Sequence, residues 1–164
     1  MAFLPDATVA GTTANSYCTV AYADAYLAER GADADAWNAL DEDAKGRRLA
    51  QATRLIDRCH FDGVKYDTST VRTGADNGQA LKFPRDGDTD SAGDPFVIEE
   101  AKIAACEVAL LLCESRGALG SGAGIGSLSL GSMSASFEGD NTGRVDNVIR
   151  QWLGDRMTVS VRMV

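Results

Sequence analysis

The stretch DPFVIEEAKIAACEVALLLCESRG, residues 94–117, decides the fold. Asp94 is a candidate N-cap, Pro95 suits the first helical position, and Gly117 is a stop, so the spacing predicts one long helix. Val97, Ala101, Ala104, Val108 and Leu111 form an apolar stripe. Phe96, Ile103, Leu110 and Leu112 widen it until little of the later helix is polar. A helix apolar over so much of its circumference is the centre of a bundle, or is covered by neighbouring subunits.

Amphipathic helices precede it. TVAYADAYLAERG, residues 19–31, has Thr19 as N-cap, Val20, Ala23 and Leu27 on one stripe with Tyr22 and Tyr26 beside it, and Gly31 as its stop. A short helical turn follows with Trp37 and Leu40. A longer helix capped by Asp41 then buries Leu49, Ala52, Ile56 and Cys59 and turns Arg47, Arg48, Arg54, Asp57 and Arg58 outward. Residues 61–94, with five glycines and seven aspartates, read as a long ordered loop held by Phe61, Tyr66 and Phe83. Within it, QALKFPR (79–85) places Pro84 so that Phe83 leaves helical geometry and points inward while Arg85 points outward, free to pair with an acid of its own subunit or the next.

Beyond Gly117 the composition changes. GALGSGAGIGSLSLG, residues 117–131, holds six of the 17 glycines and reads as a hinge, and SLSLG and SMSASF predict a small β-hairpin. RVDNVIRQWLG reads as a short helix with Val145, Val148, Ile149 and Trp152 on one side. In the closing RMTVSVRMV, Met157, Val159, Val161 and Met163 alternate with polar residues as in a strand that needs a partner edge. The expectation is a mainly α protein: a helical bundle domain over 1–116 with the loop 61–94, then a hinge, hairpin, short helix and extended C-terminal docking arm over 117–164.

The candidate chemistry is sparse. Asp86, Asp88 and Asp90 have the first spacings of a calcium loop, but Ser91 stands where glycine is needed and Val97 where glutamate is needed. The glycine run 117–126 fits neither a dinucleotide fingerprint nor a P-loop. His60, the sole histidine, has no nucleophile motif with it, and reads as structural. Cys18, Cys59, Cys106 and Cys113 form no CxxC pair and read as buried reduced thiols. No catalytic, metal or cofactor site is expected, and the chain is not read as an enzyme. Apolar residues make up 45% of the chain, yet no run approaches the length of a membrane span. The N-terminus lacks a secretory pattern, so a cytoplasmic site of synthesis is expected. A net charge of −8 opposes any broad phosphate-binding surface. A local one remains open: Arg47, Arg48, Arg54, Arg58, Lys65, Arg72, Lys82, Phe83 and Arg85 combine cations with an aromatic, as single-strand-binding surfaces do, although arginines on an amphipathic helix are usually its wet face.

NSYCTVAYADAYLAERG (15–31), Trp37, QATRLIDR (51–58), FDG (61–63), QALKFPR (79–85) and the long helix after them come in an order and spacing that resembles the head-to-tail connector, or adaptor, family of tailed bacteriophages. Some members of that family carry the description DnaT-like single-stranded-DNA-binding protein, which is the alternative reading. The resemblance covers residues 15–116 well and the remainder loosely; the glycine run and the MTVSVRMV tail depart from it. It implies a helical subunit that forms a ring, a dodecamer in the virion neck, under the portal protein. Such a ring extends a channel through which DNA passes without specific binding and offers a platform to tail or stopper proteins. On that reading Arg85, Trp152, Met157, Val159, Val161 and Met163 are candidate contacts with another subunit or the portal, and Phe61, Phe83 and Pro84 anchor the loop.

Overall fold

The computed structural model describes residues 3–66, 78–120, 126–130, 133–137 and 141–157. The protein is mainly helical. Its elements run α1 (Val20–Ala28), α2 (Asp35–Asn38), α3 (Glu42–Ile56), α4 (Glu99–Gly120), β1 (Gly126–Leu130), β2 (Met133–Phe137) and α5 (Asn141–Leu153), with single 3-10 turns at Gly31–Ala34 and Gly154–Arg156. β1 and β2 pair antiparallel in a hairpin, Leu128 opposite Ala135.

The helix starts follow local chemistry. The Thr19 side chain accepts from the Tyr22 N–H, and Asp41 does the same for Ala44 at 2.7 Å. Each satisfies a donor that the first turn leaves without a partner. Helix α4 begins at Glu99, four residues later than Pro95 would set it. The aspartates upstream take Pro95 for another purpose: Asp90 Oδ1 accepts from the Ala92 and Asp94 amides, Asp90 N–H donates to the Asp94 carbonyl, and Thr89 pairs with Pro95 as an isolated β-bridge. Asp94 therefore closes a turn instead of capping a helix. Phe96, expected in the apolar stripe, is left 43% exposed. At its other end α4 passes Gly117 and stops at Gly120.

Helix α4 is the axis of the core. Ala101, Ala104, Ala105, Cys106, Val108 and Ala109 are fully buried, flanked by α3 on one side and α5 on the other, with α1 and α2 adding Leu27 and Trp37. Small residues on α4 let the neighbouring helices come close, while Leu49 and Ile56 of α3 and Ile149 and Leu153 of α5 supply bulk. Its wide apolar girth is thus covered by helices of the same chain.

The N-terminal segment crosses α3 at Gly46. A Cβ there would come within 2.9 Å of the Phe3 carbonyl and 3.0 Å of Pro5. Asp6 then organises the turn: it accepts from the Thr8 amide and hydroxyl and from Thr13, and Asn15 Oδ1 accepts from its N–H. These bonds hold the Asp6 carboxyl below its usual range.

Candidate functional site

In the described part of the loop, 61–66 and 78–94, a strap around Phe83 is buried (Phe61, Gln79, Leu81, Phe83, Pro84, Arg85, Asp88), while 62–64 and 90–94 are exposed. Phe83 packs edge-on against Tyr17 (5.7 Å between ring centres) and Phe61 (4.9 Å), and the Phe83–Pro84 peptide is cis, with Pro84 also buried. Edge-to-face packing matches the positive rim of one ring to the negative face of the next. The Tyr17 hydroxyl donates to Asp57 Oδ1. Burial, then the Asp57 charge, push the Tyr17 hydroxyl well above its usual value, and burial pushes the Asp57 carboxyl up as well. Gln79 Nε2 donates to the carbonyls of Leu81 and Pro84 at 2.8 and 3.0 Å.

Arg85 does not point outward. It is buried, and its guanidinium donates to the carbonyls of Phe61, Asp62 and Gly63, with Nε to Asp62 at 3.1 Å and NH2 to Phe61 at 3.0 Å. Its N–H donates to Asp88 Oδ2 at 2.8 Å, and Asp88 Oδ1 accepts from Arg156 NH1 at 2.7 Å. The sequence suggested a cation waiting for an acidic partner; the fold instead uses it as a five-donor fork for carbonyls that a tight turn leaves unpaired. The same place roots the chain's C-terminal end. Asp62 N–H donates to the Arg156 carbonyl at 2.8 Å, and Met157 forms a β-bridge with Phe61. Trp152 is half-buried against the core. Val159, Val161 and Met163 lie outside the described residues.

The basic and aromatic set separates into two groups. Lys65 Nζ donates to the Gln79 carbonyl and Lys82 Nζ to that of Cys59, so these two, like Arg85, serve the strap. Phe83 is buried and offers no ring to a ligand, and Arg72 lies outside the described residues. What remains is the outer face of α3. Arg47, Gln51 and Arg54 are exposed there, and Arg58 is exposed in the turn just past the helix end at Ile56. Arg47 pairs with Asp43 at 2.8 Å and stands over the Phe3 ring. Among the described residues Arg54 and Arg58 have no ion-pair partner. Arg48, at the flank, bonds Gln51. From Arg47 to Arg54 the helical part of this face is about 10 Å long at 1.5 Å per residue.

The other candidates stay quiet. His60 is exposed. Asp88 and Asp90 spend their oxygens on Arg85, Arg156 and backbone amides, and among the described residues no cluster of three metal-ligating side chains occurs. All four cysteines are free thiols, Cys59 half-buried and the others buried. No helix among the described residues is long and apolar enough to cross a membrane.

The model of a family described as "Putative DnaT-like ssDNA binding protein" matches residues 1–164. The chain belongs to that family. No curated protein and no solved structure matches it. Sequence reading included the α3 arginines but grouped them with Lys65, Lys82 and Arg85. Separating them requires knowing which carbonyls the strap leaves open, and no spacing rule reports that.

Proposed function

We propose that this DnaT-like chain is a non-catalytic single-stranded-DNA-binding protein whose contact surface is the outer face of α3. One observation carries the reading: Arg54 and Arg58, one turn apart, are exposed without an acidic partner among the described residues of a chain of net charge −8. With Arg47 they make a narrow cationic track. Guanidinium groups suit phosphate because they donate two parallel bonds and hold their charge at any physiological pH. The net charge of −8 disfavours contact with a strand over much of the rest of the chain, which favours the track. Among the described residues no exposed aromatic lies on this face, so base stacking contributes little and binding is sequence-independent and salt-sensitive. Fluorescence anisotropy of a labelled oligonucleotide tests this: binding in the micromolar range at low salt is expected, with a loss of at least about tenfold in Arg54→Glu/Arg58→Glu. Absence of binding at low salt overturns it.

A second reading, the head-to-tail connector, is favoured by the β-bridge of Met157 with Phe61, which gives the apolar C-terminal arm a fixed root on the helical body. On this reading the chain assembles as a ring in the virion neck, meets the portal and tail proteins, and lets DNA pass. The girth of α4 lends it no support, since α3 and α5 cover it. Electron micrographs of particles made with a chain truncated after Met157 test it: tail-less heads are expected, and normally tailed particles contradict it.

A further inference from the structure

Two buried thiols that neither reading uses face each other across the core. Cys18 sits in the bend just ahead of α1, and Cys106 lies in the middle of α4, 88 residues later; their Sγ atoms are 3.8 Å apart. Cys106 is fully enclosed. Cys18 also lines a groove of about 250 Å³ together with Tyr17, Thr19, Tyr22, Phe96 and Val97. Phe96 and Val9 at its edge are exposed, so the groove is open to solvent. A water molecule occupies about 30 Å³, which makes the groove roomy for an oxidant the size of hydrogen peroxide. We propose that Cys18 and Cys106 are a redox modification site, a dithiol that a small peroxide entering through this groove converts to a disulfide joining the N-terminal segment to the central helix.

The chemistry assigns the two sulfurs different roles. Cys18, the one that meets the groove, gives up its proton to water and attacks a peroxide oxygen; the O–O bond breaks and hydroxide leaves, leaving a sulfenic acid at Cys18. Cys106 then attacks the Cys18 sulfur, the S–O bond breaks, and the departing hydroxide takes the Cys106 proton. In total two thiols and one peroxide give one disulfide and two waters, with the sulfurs oxidised and the peroxide reduced. The hydrogen bond with Cys18, then burial, push the Cys106 thiol up and keep it protonated, so the sulfur that peroxide meets first is that of Cys18. Closing the bond requires the sulfurs to approach from 3.8 Å to about 2 Å. Cys18, in a bend outside any helix, can move for this more readily than a residue inside α4. Cys59 and Cys113 have no such neighbour among the described residues, so the disulfide is specific to this pair.

The test treats the full-length chain with stoichiometric hydrogen peroxide, blocks remaining thiols with an alkylating agent under denaturing conditions, and maps the peptides by mass spectrometry without reduction. The expected product is one intramolecular link between the peptides carrying Cys18 and Cys106, with Cys59 and Cys113 alkylated. The melting temperature should rise by about 5–10 °C and return to its starting value on reduction with dithiothreitol, because the link removes freedom from a long unfolded loop. The same treatment of Cys59→Ala, which keeps the pair, should give the same link. Recovery of Cys18 and Cys106 as alkylated free thiols while Cys59 oxidises overturns the proposal, as does a link that involves Cys59 or Cys113.

Discussion

The α3–α4 seam and the strap around Phe83 are both buried, but different physics holds them. The seam joins two regular helices whose backbone groups are satisfied within each helix, so it needs only apolar shape: Leu49, Ile56, Ala104 and Val108. The strap has irregular backbone, and burying it demands a partner for every carbonyl. Gln79, Lys65, Lys82 and Arg85 supply those partners, and Phe83 with Pro84 supplies the apolar weight. Among the described residues, the polar side chains of the strap serve buried backbone, whereas Arg54, on a helix that satisfies its own backbone, has no ion-pair partner.

Removing apolar bulk from either region should cost most. Phe83→Ala and Leu49→Ala should each lower stability by about 3–5 kcal/mol, measured by urea unfolding. If the two regions differ as described, Phe83→Leu should recover more of the loss than any change near Arg85 does, since it restores volume without needing a hydrogen bond. Next comes the carbonyl clamp. Arg85→Met keeps the stem but leaves the carbonyls of Phe61 and Asp62 without donors, and should cost about 2–3 kcal/mol. Arg85→Lys should restore less than half of this, because one ammonium cannot span the three carbonyls. A full recovery by lysine would mean that charge, and not the fork, matters there.

The comparison also has a pH signature. The Asp57 carboxyl is raised in the folded state, mainly by burial, so the folded protein takes up its proton before the unfolded chain does. Stability from this group is therefore present at low pH and lost as pH rises through the folded value. Asp57→Asn removes that acid-side gain, so its unfolding free energy should fall more steeply than the parent's as pH is lowered from about 6 to about 4. The Asn carbonyl still accepts from Tyr17. The smallest effect belongs to the exposed rim between α1 and α4. There the Tyr22 hydroxyl donates to Glu99 and holds its carboxyl below the usual range, a contribution present above pH about 4.5 and lost as pH falls through the folded value. Glu99 is 58% exposed, so Tyr22→Phe should cost under about 1 kcal/mol at neutral pH, a cost that should fade as pH falls below about 4.5.

The sequence made the helices legible because their signals are local. Thr19 and Asp41 cap where a side-chain oxygen three residues upstream of a free N–H must, and the stripe through Val97, Ala101 and Val108 needs no distant information. It misplaced the start of α4, since Asp94 and Pro95 serve a turn organised by Asp90 and a bridge to Thr89, both competing with a valid helix start. Arg85 was misread for a related reason: its partners are carbonyls 22 to 24 residues away, and backbone carbonyls have no sequence signature. One overlooked signal was available. Gly46 inside a helical pattern weakens the helix by about 1 kcal/mol relative to alanine, and the close crossing of Phe3 and Pro5 is the reason for it. The α3 arginines were visible, but their freedom became visible only once the competing cations had been placed on the strap.

The most direct test of that freedom is the salt dependence of oligonucleotide binding by anisotropy, compared between the parent chain and Arg54→Ala/Arg58→Ala. With Arg47, Arg54 and Arg58 each neutralising one phosphate of a single strand, the slope of log affinity against log salt should be about −2, falling to about −0.7 in the double variant. Equal slopes for the two proteins, or no binding by either at low salt, would contradict the assignment of the α3 face.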